Sequence, residues 1–189
     1  DWGLKIRDRA LAWWAAQTDR QLKYTVPTYY GQRELHDVLE RMTWHAAQHM
    51  IPRKQGLIVN VSSQGSREYF VHATYGIAKS ALDRIGQDTG NELAKHGIAV
   101  VTLWPSFVLT ERILAFDADE WGVDLEGAET PRFPGRAVVA LATDPKVVAR
   151  SGCIYSTRQL AEAYGFRDLD GGLPKGAPDP QTHYPLMRS

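Results

Sequence analysis

Two short apolar runs, bounded by glycine, proline or polar residues, are the strongest pattern along the chain. The first, GLIVNVSS (56–63), is rich in β-branched residues and passes into polar residues at its end. The second, IAVVTLW (98–104), stops at Pro105. Runs of this length and composition predict strands that are buried on both faces, as in parallel sheets. A shorter run, GCIYS (152–156), predicts a third strand.

Helical periodicity separates these apolar runs. Residues 74–95 carry apolar side chains at helical spacing, and Gly97 follows as a C-terminal stop. The apolar stripe of this helix is Ile77, Ala78, Ala81, Leu82, Ile85 and Leu93. Two further helices are predicted over 33–50, which Pro52 ends, and over GRAVVALATD (135–144). Strands that alternate with helices predict an α/β fold, a Rossmann-like parallel sheet with helices on both faces.

The remaining segments have weaker patterns. Residues 4–17 predict an amphipathic helix, and we interpret its Trp13 and Trp14 as core packing rather than a membrane or partner site. Residues 106–131 have no clear period, which predicts a loop with short helical pieces. We divide the chain into a divergent helical N-terminal segment (1–47), a catalytic half (48–169) and a Pro/Gly-rich C-terminal tail (170–189).

Composition limits the class of protein. The 189 residues suit one domain, and 22 basic residues balance 22 acidic ones, so no nucleic-acid or anionic-membrane partner is expected. The single cysteine, Cys153, excludes an internal disulfide, favours a reducing compartment and is predicted to be buried. No apolar run approaches the ~18 residues of a membrane span, and the charged start DWGLKIRDRA is unlike a signal peptide. We therefore expect a cytoplasmic protein.

Candidate chemistry begins at TYGIAK (74–79). Tyr75 and Lys79 are four residues apart in the first turns of a predicted helix, so their side chains share one face. An ammonium beside a phenol favours the phenolate and eases proton transfer to or from a substrate oxygen near neutral pH. The alternative for an isolated pair is a packed tyrosine beside a lysine that extends its ammonium to solvent.

Two other segments favour the functional interpretation. Ser63 stands where the first strand ends, and PSFVLT (105–110) leaves the second strand. Ligand sites in open α/β sheets lie outside the carboxyl ends of the strands, so these segments and the helix start with Tyr75 should meet at one edge. There Ser63 could donate a hydrogen bond to a carbonyl oxygen.

Together these segments resemble the classical short-chain dehydrogenase/reductase superfamily over roughly residues 50–172. GLIVNVSS, YGIAK, HGIAVVTLWP and FVLT match its strand–serine, Tyr-x-x-x-Lys and post-strand segments in order. The resemblance implies hydride transfer between NAD or NADP and a small carbonyl or alcohol, and a homodimer or homotetramer formed through helices 33–50 and 74–95. It makes Tyr75 the general acid/base. Lys79 would favour the Tyr75 phenolate and bind the nicotinamide ribose, and Ser63 would orient the substrate carbonyl. The positions matching cofactor contacts are Tyr75, Lys79, Pro105, Val108 and Thr110.

The resemblance covers only the C-terminal half of that fold. The family's Gly-x-x-x-Gly-x-Gly turn cradles the dinucleotide pyrophosphate, but only Gly3 and Gly31 precede Gly56 here. Ser106 also replaces the glycine that usually follows Pro105. We therefore expect weakened cofactor binding. A fragment, a truncated product and a pseudoenzyme remain open, and the alternative function is a non-catalytic remnant that binds a partner or dimerises.

Other chemistries fit the sequence less well. A sugar-nucleotide epimerase shares the Ser and Tyr-x-x-x-Lys pattern, but LWPSFVLT and the short C-terminal part do not fit that branch. His45 and His49 are four residues apart on a helix, a spacing that suits two metal ligands, yet no third ligand is evident. The acidic group Asp117, Asp119 and Glu120 is interpreted as a solvated loop. We predict no metal site.

Overall fold

A computed structural model describes residues 41–70, 73–115 and 124–180. The helix predicted over 4–17 and the first part of the helix predicted over 33–50 lie outside the described residues, as does the end of the C-terminal tail. The division of the chain into three segments therefore stays a prediction.

Helices and strands alternate along the described chain. They are α1, which includes residues 41–50, β1 (Gly56–Val61), α2 (Ala73–Ala94), β2 (Ile98–Trp104), α3 (Glu111–Leu114), α4 (Arg132–Thr143), β3 (Ile154–Ser156) and α5 (Thr157–Tyr164). Single 3-10 turns lie at Ile51–Arg53, Gln64–Ser66 and Val147–Arg150. The three predicted strands and the predicted helix after the first strand are confirmed.

The strands form a parallel sheet in the order β1-β2-β3. All seven residues of the central strand β2 are buried, as its apolar run predicts. The prediction that β1 is buried on both faces is wrong: most of its side chains are half-buried, and Val61 is 52% exposed. The reason is position, because β1 pairs with β2 on one side and with no other strand among the described residues.

Helices cover both faces of the sheet, which confirms the Rossmann-like α/β class. On one face, Val101 and Leu103 of β2 pack against Ala137 and Leu141 of α4 and Leu160 of α5. On the other face α2 crosses β2. There Gly86 lies so close that an added Cβ would stand 2.1 Å from Thr102 Oγ1.

Several helix details differ from the sequence pattern. In α2, Ala78 and Leu82 of the predicted apolar stripe are buried, but Ile77 is 68% exposed, and the buried face also holds Asp83, Gly86 and Gly90. Helix α1 buries Thr43 and Ala47, whereas Met42 is 62% exposed. Cys153, predicted to be buried, is only half-buried. The C-terminal stop at Gly97 is confirmed by its φ of 75°.

The sequence pattern did not predict helix α5. Its start is a capping box: Ser156 Oγ accepts the Gln159 N–H at 3.2 Å, and Gln159 Oε1 accepts the Ser156 N–H at 2.9 Å. Gly165, with a φ of 74°, ends the helix. The S-x-x-Q spacing was therefore a local signal for a helix start.

The first part of the C-terminal tail packs on the domain. Arg67 donates a hydrogen bond to the Pro180 carbonyl at 2.6 Å, and its guanidinium lies 5.0 Å from the centre of the Trp104 ring. The side-chain amide of Gln159 donates a hydrogen bond to Asp179 Oδ1 at 2.6 Å. In 41–70, 73–115 and 124–180, no helix has both the length and the apolarity of a membrane span.

Candidate active site

Ser63 and Tyr75 meet at the carboxyl end of β1. Ser63 follows the strand and caps the 3-10 turn Gln64–Ser66, where its Oγ accepts the Gly65 N–H at 3.2 Å. Tyr75 lies in the first turn of α2, and its hydroxyl is 2.9 Å from Ser63 Oγ. The two hydroxyls, 12 positions apart in sequence, therefore share a hydrogen bond.

A glycine allows this approach. Gly65 is buried, and a Cβ added there would lie 2.6 Å from Tyr75 Cε1 and 3.3 Å from Phe70 Cβ. Phe70 packs against the Tyr75 ring with a centroid distance of 5.8 Å. Sequence reasoning missed both residues, because their role depends on the folded turn rather than on spacing.

Lys79 lies one helical turn after Tyr75. Its Nζ is 5.6 Å from the centre of the Tyr75 ring and donates to the Val61 carbonyl at 3.2 Å. Burial lowers the pKa of the Lys79 ammonium, and the carboxylate of Asp83 opposes that shift. Lys79 therefore stands beside Tyr75 but does not line the cavity described below.

Asp83 is a buried carboxylate behind the site. Its oxygens accept from Ser66 Oγ at 2.6 Å and from Trp104 Nε1 at 3.0 Å. Burial raises the pKa of Asp83, and these hydrogen bonds, together with the charge of Arg67, oppose the shift. Asp83 thus connects α2 to the turn after β1 and to the end of β2. Sequence reasoning missed Asp83, because a charged residue is not expected on the buried face of a helix.

The segment after β2 forms the opposite wall. A cavity of about 320 Å³ lies between this segment and the Ser63–Tyr75 pair. Its lining consists of Ser63, Gln64, Phe70, Tyr75, Pro105, Ser106, Phe107, Val108, Thr110 and Ile113. Thr110 also caps α3, where its Oγ1 faces the Ile113 N–H. The structure therefore brings Ser63, Tyr75, Pro105, Val108 and Thr110 to one cavity, with Lys79 behind Tyr75.

These residues suit one end of a dinucleotide. The hydroxyls of Ser63 and Tyr75 face a mainly apolar wall across the cavity, and the Lys79 ammonium lies behind Tyr75. Such a set would fit a nicotinamide ring with its ribose. The described residues include no glycine-rich turn of the kind that cradles a pyrophosphate. The chemical fit therefore extends to the nicotinamide end alone.

The histidine pair predicted on α1 is exposed. His45 stacks edge-on against Trp44 with a centroid distance of 4.8 Å, and His49 is also at the surface. Across the three described ranges, no group of three or more His, Cys, Asp or Glu side chains could hold a metal ion. Asp117, Asp119 and Glu120 lie outside these ranges.

Comparison with known proteins agrees with this fold. The short chain dehydrogenase family model matches residues 39–121. Together with the relatives and the solved structure described next, this match places the chain in that family. It is 39% identical over 137 residues to dehydrogenase/reductase SDR family member 1 of Mus musculus and of Homo sapiens. Each alignment covers 67% of this chain and 44% of the relative. The chain thus spans less than half the length of these curated relatives.

A solved structure gives the same result for the fold. The chain matches a short chain dehydrogenase/reductase family protein with a TM-score of 0.56 and 26% identity. The match covers 67% of this chain and 56% of that one. The chain therefore matches a little over half of that solved structure.

Proposed function

We propose that the protein is an oxidoreductase that transfers a hydride between NAD or NADP and a carbonyl or alcohol, with Tyr75 as general acid and base. The observation that carries this proposal is the 2.9 Å contact between Ser63 Oγ and Tyr75 OH at the cavity wall. Two hydroxyls at that spacing can both reach one carbonyl oxygen that lies in the cavity within hydrogen-bonding distance of each. Family membership and the adjacent Lys79 support the same function.

The proton path uses residues of this chain. In the reductive direction Tyr75 gives its hydroxyl proton to the substrate oxygen, while Ser63 holds that oxygen by a hydrogen bond. The tyrosine is left as a phenolate, which the nearby Lys79 ammonium stabilises until a proton returns from solvent. NADH or NADPH, when bound, supplies the hydride to the substrate carbon. Lys79, Val108 and Thr110 would hold its nicotinamide end.

The substitution Tyr75→Phe tests the assignment. It removes the hydroxyl but keeps the ring against Phe70, so the fold should persist while kcat falls about 100-fold or more. Because no charged side chain occurs among the described residues of the cavity lining, uncharged ketones and aldehydes are the substrates to screen. Tyr69→Phe is the matched control, since Tyr69 is 85% exposed and outside the lining. Full activity in Tyr75→Phe would refute the role of Tyr75.

A second candidate is a non-catalytic module that dimerises. The observation in its favour is a set of large apolar side chains exposed on α1 and α2, namely Met42, Trp44 and Ile77. Titration with NADH and NADPH separates the two candidates. Saturable micromolar binding supports the enzyme, whereas no binding at millimolar concentration together with a dimer in light scattering supports the module.

A further inference from the structure

Glu129 is a buried carboxylate that the proposed proton path does not use. Its side chain has no exposed surface. Oε1 accepts the Ser106 N–H at 2.8 Å and the hydroxyl of Thr157, whereas Oε2 has no hydrogen-bond partner among the described residues. Burying a carboxyl group with one oxygen that has no hydrogen-bond partner destabilises the fold. A group buried in this way therefore needs a structural or functional explanation.

The backbone of Glu129 holds the same loop as its side chain. Its N–H donates to the Phe107 carbonyl at 2.7 Å, and its carbonyl accepts the Leu109 N–H at 2.8 Å. A parallel bridge pairs Glu129 with Val108. One residue thus makes three hydrogen bonds to the segment 106–109, the part of the chain that forms the apolar wall of the cavity.

Glu129 is itself anchored to the C-terminal part of the sheet. Thr157, which is fully buried, begins α5 directly after β3. The neighbouring Thr130 donates its N–H at 2.9 Å and its hydroxyl at 2.5 Å to Asp168, which is 5% exposed. These contacts fasten the loop around Glu129 and Thr130 to the start of α5 at Thr157 and to Asp168.

Burial and a nearby charge both act on the ionisation of Glu129. Burial raises the pKa of Glu129, and the negative charge of Asp168 acts in the same direction, while the hydrogen bonds from Thr157 and Ser106 oppose the shift. A protonated carboxyl group keeps its acceptor Oε1 for the Ser106 N–H. The contacts of Oε1 with the loop need an oxygen acceptor, which the uncharged amide of a glutamine also supplies.

We propose that Glu129 is a positioning residue that holds the 106–109 wall in place and thereby sets the affinity of the cavity for the nicotinamide end of the cofactor. This proposal rests on the proposed function for its cofactor, but the position of the wall is independent of that cofactor. Glu129 contacts neither the cavity nor the Ser63–Tyr75 pair, so it acts through Ser106, Phe107 and Leu109.

Three variants test the proposal. Glu129→Gln keeps an uncharged acceptor and should bind NADH or NADPH within about 3-fold of the parent. Glu129→Ala removes the Ser106 contact and should raise the cofactor Kd and KM about 10-fold, with kcat at saturation changed less than about 3-fold. Glu126→Ala, an exposed glutamate three positions earlier, is the matched control and should be unchanged.

Amide hydrogen exchange in the cofactor-free protein measures directly how firmly the 106–109 wall is held. The Ser106 and Leu109 amides should exchange at least about 10-fold faster in Glu129→Ala than in the parent or in Glu129→Gln. If the alanine variant does not fold, Thr157→Val, which removes only the hydroxyl that anchors Oε1, should still speed exchange at Ser106.

Distinct results would overturn the proposal. Unchanged exchange and affinity in Glu129→Ala would remove the positioning role. A glutamine variant as defective as the alanine variant would show that the charge is required. A fall in kcat at constant KM would place the effect on the chemistry instead. If the parent protein binds neither cofactor, the proposed function and the affinity effect fail together, and exchange alone decides whether Glu129 holds the wall.

Discussion

Tyr75 owes its position to a residue that has no side chain. Its ring lies where any Cβ on Gly65 would be 2.6 Å from Cε1, closer than real atoms approach. The same glycine donates its N–H to Ser63 Oγ, the partner of the Tyr75 hydroxyl. The catalytic pair proposed here is therefore a consequence of a three-residue turn as well as of the Tyr-x-x-x-Lys motif.

Replacing Gly65 with alanine should separate the two hydroxyls. The new methyl group must displace the Tyr75 ring or the turn, so we expect kcat to fall about 10-fold or more, because misplacing a catalytic group by about 1 Å is costly. Turnover and thermal melting of Gly65→Ala measure the effect. Gly135→Ala in α4 is the control, since a Cβ there meets nothing within 4 Å. Equal turnover in both variants would contradict this account.

Helix α2 lies on the sheet through glycine contacts. A Cβ at Gly86 would lie 2.1 Å from Thr102 Oγ1, and one at Gly90 would lie 2.3 Å from the Gly152 amide nitrogen. The close approach lets the helix start, with Tyr75, stand over the strand ends. Periodicity correctly predicted a helix over 74–95. It wrongly placed Ile77 on the buried face, because the residues that partly form that face, Asp83, Gly86 and Gly90, are not hydrophobic and so do not show in an apolar pattern.

The contact between α2 and β2 can be tested with a compensating pair. Gly86→Ala should destabilise the fold by about 1–3 kcal/mol, the usual effect of overpacking. Thr102→Ala removes the atom that the new methyl group meets, so the double variant should recover part of that loss. Denaturant unfolding of all four proteins gives the coupling energy. Strictly additive effects would mean that the two positions do not share this contact.

Across the whole molecule, buried carboxylates connect distant segments. Asp83 connects the turn after β1 to the end of β2, Glu129 connects the cavity wall to α5, and Asp168 connects the tail region to Thr130. Burial raises the pKa of Asp83 and of Glu129. For Asp168 the pKa is lowered despite burial, because hydrogen bonds from Thr130 and Leu169 outweigh it. These groups therefore make the stability of the fold depend on pH in opposite directions.

Asp83→Asn isolates one of these contributions. Because the pKa of Asp83 in the folded chain is above its ordinary value of 3.8, its contribution to stability is present below that pH. It is lost as the pH rises through the folded value. The melting temperature of the variant should therefore rise relative to the parent as the pH increases above about 4.

The control for that measurement lies on the same helix. Asp88 is half-exposed and pairs with Arg84 at 2.6 Å on the surface, where an ion pair contributes little. Asp88→Asn should change the melting temperature little. If the difference in melting temperature between Asp83→Asn and the parent stayed constant with pH, the raised pKa of Asp83 would be contradicted.

The sequence by itself determined the family, the parallel strands β1, β2 and β3, the helix after the first strand and the order of Ser63, Tyr75 and Lys79. These depend on short-range patterns such as apolar runs, helical spacing and stops at Pro105 and Gly97. Tertiary structure alone decided that β1 is half-buried and that Gly65, Asp83 and Glu129 hold the segments that form the site. Each of those features arises from contacts between segments far apart in sequence, and no local pattern records which segments will pack together.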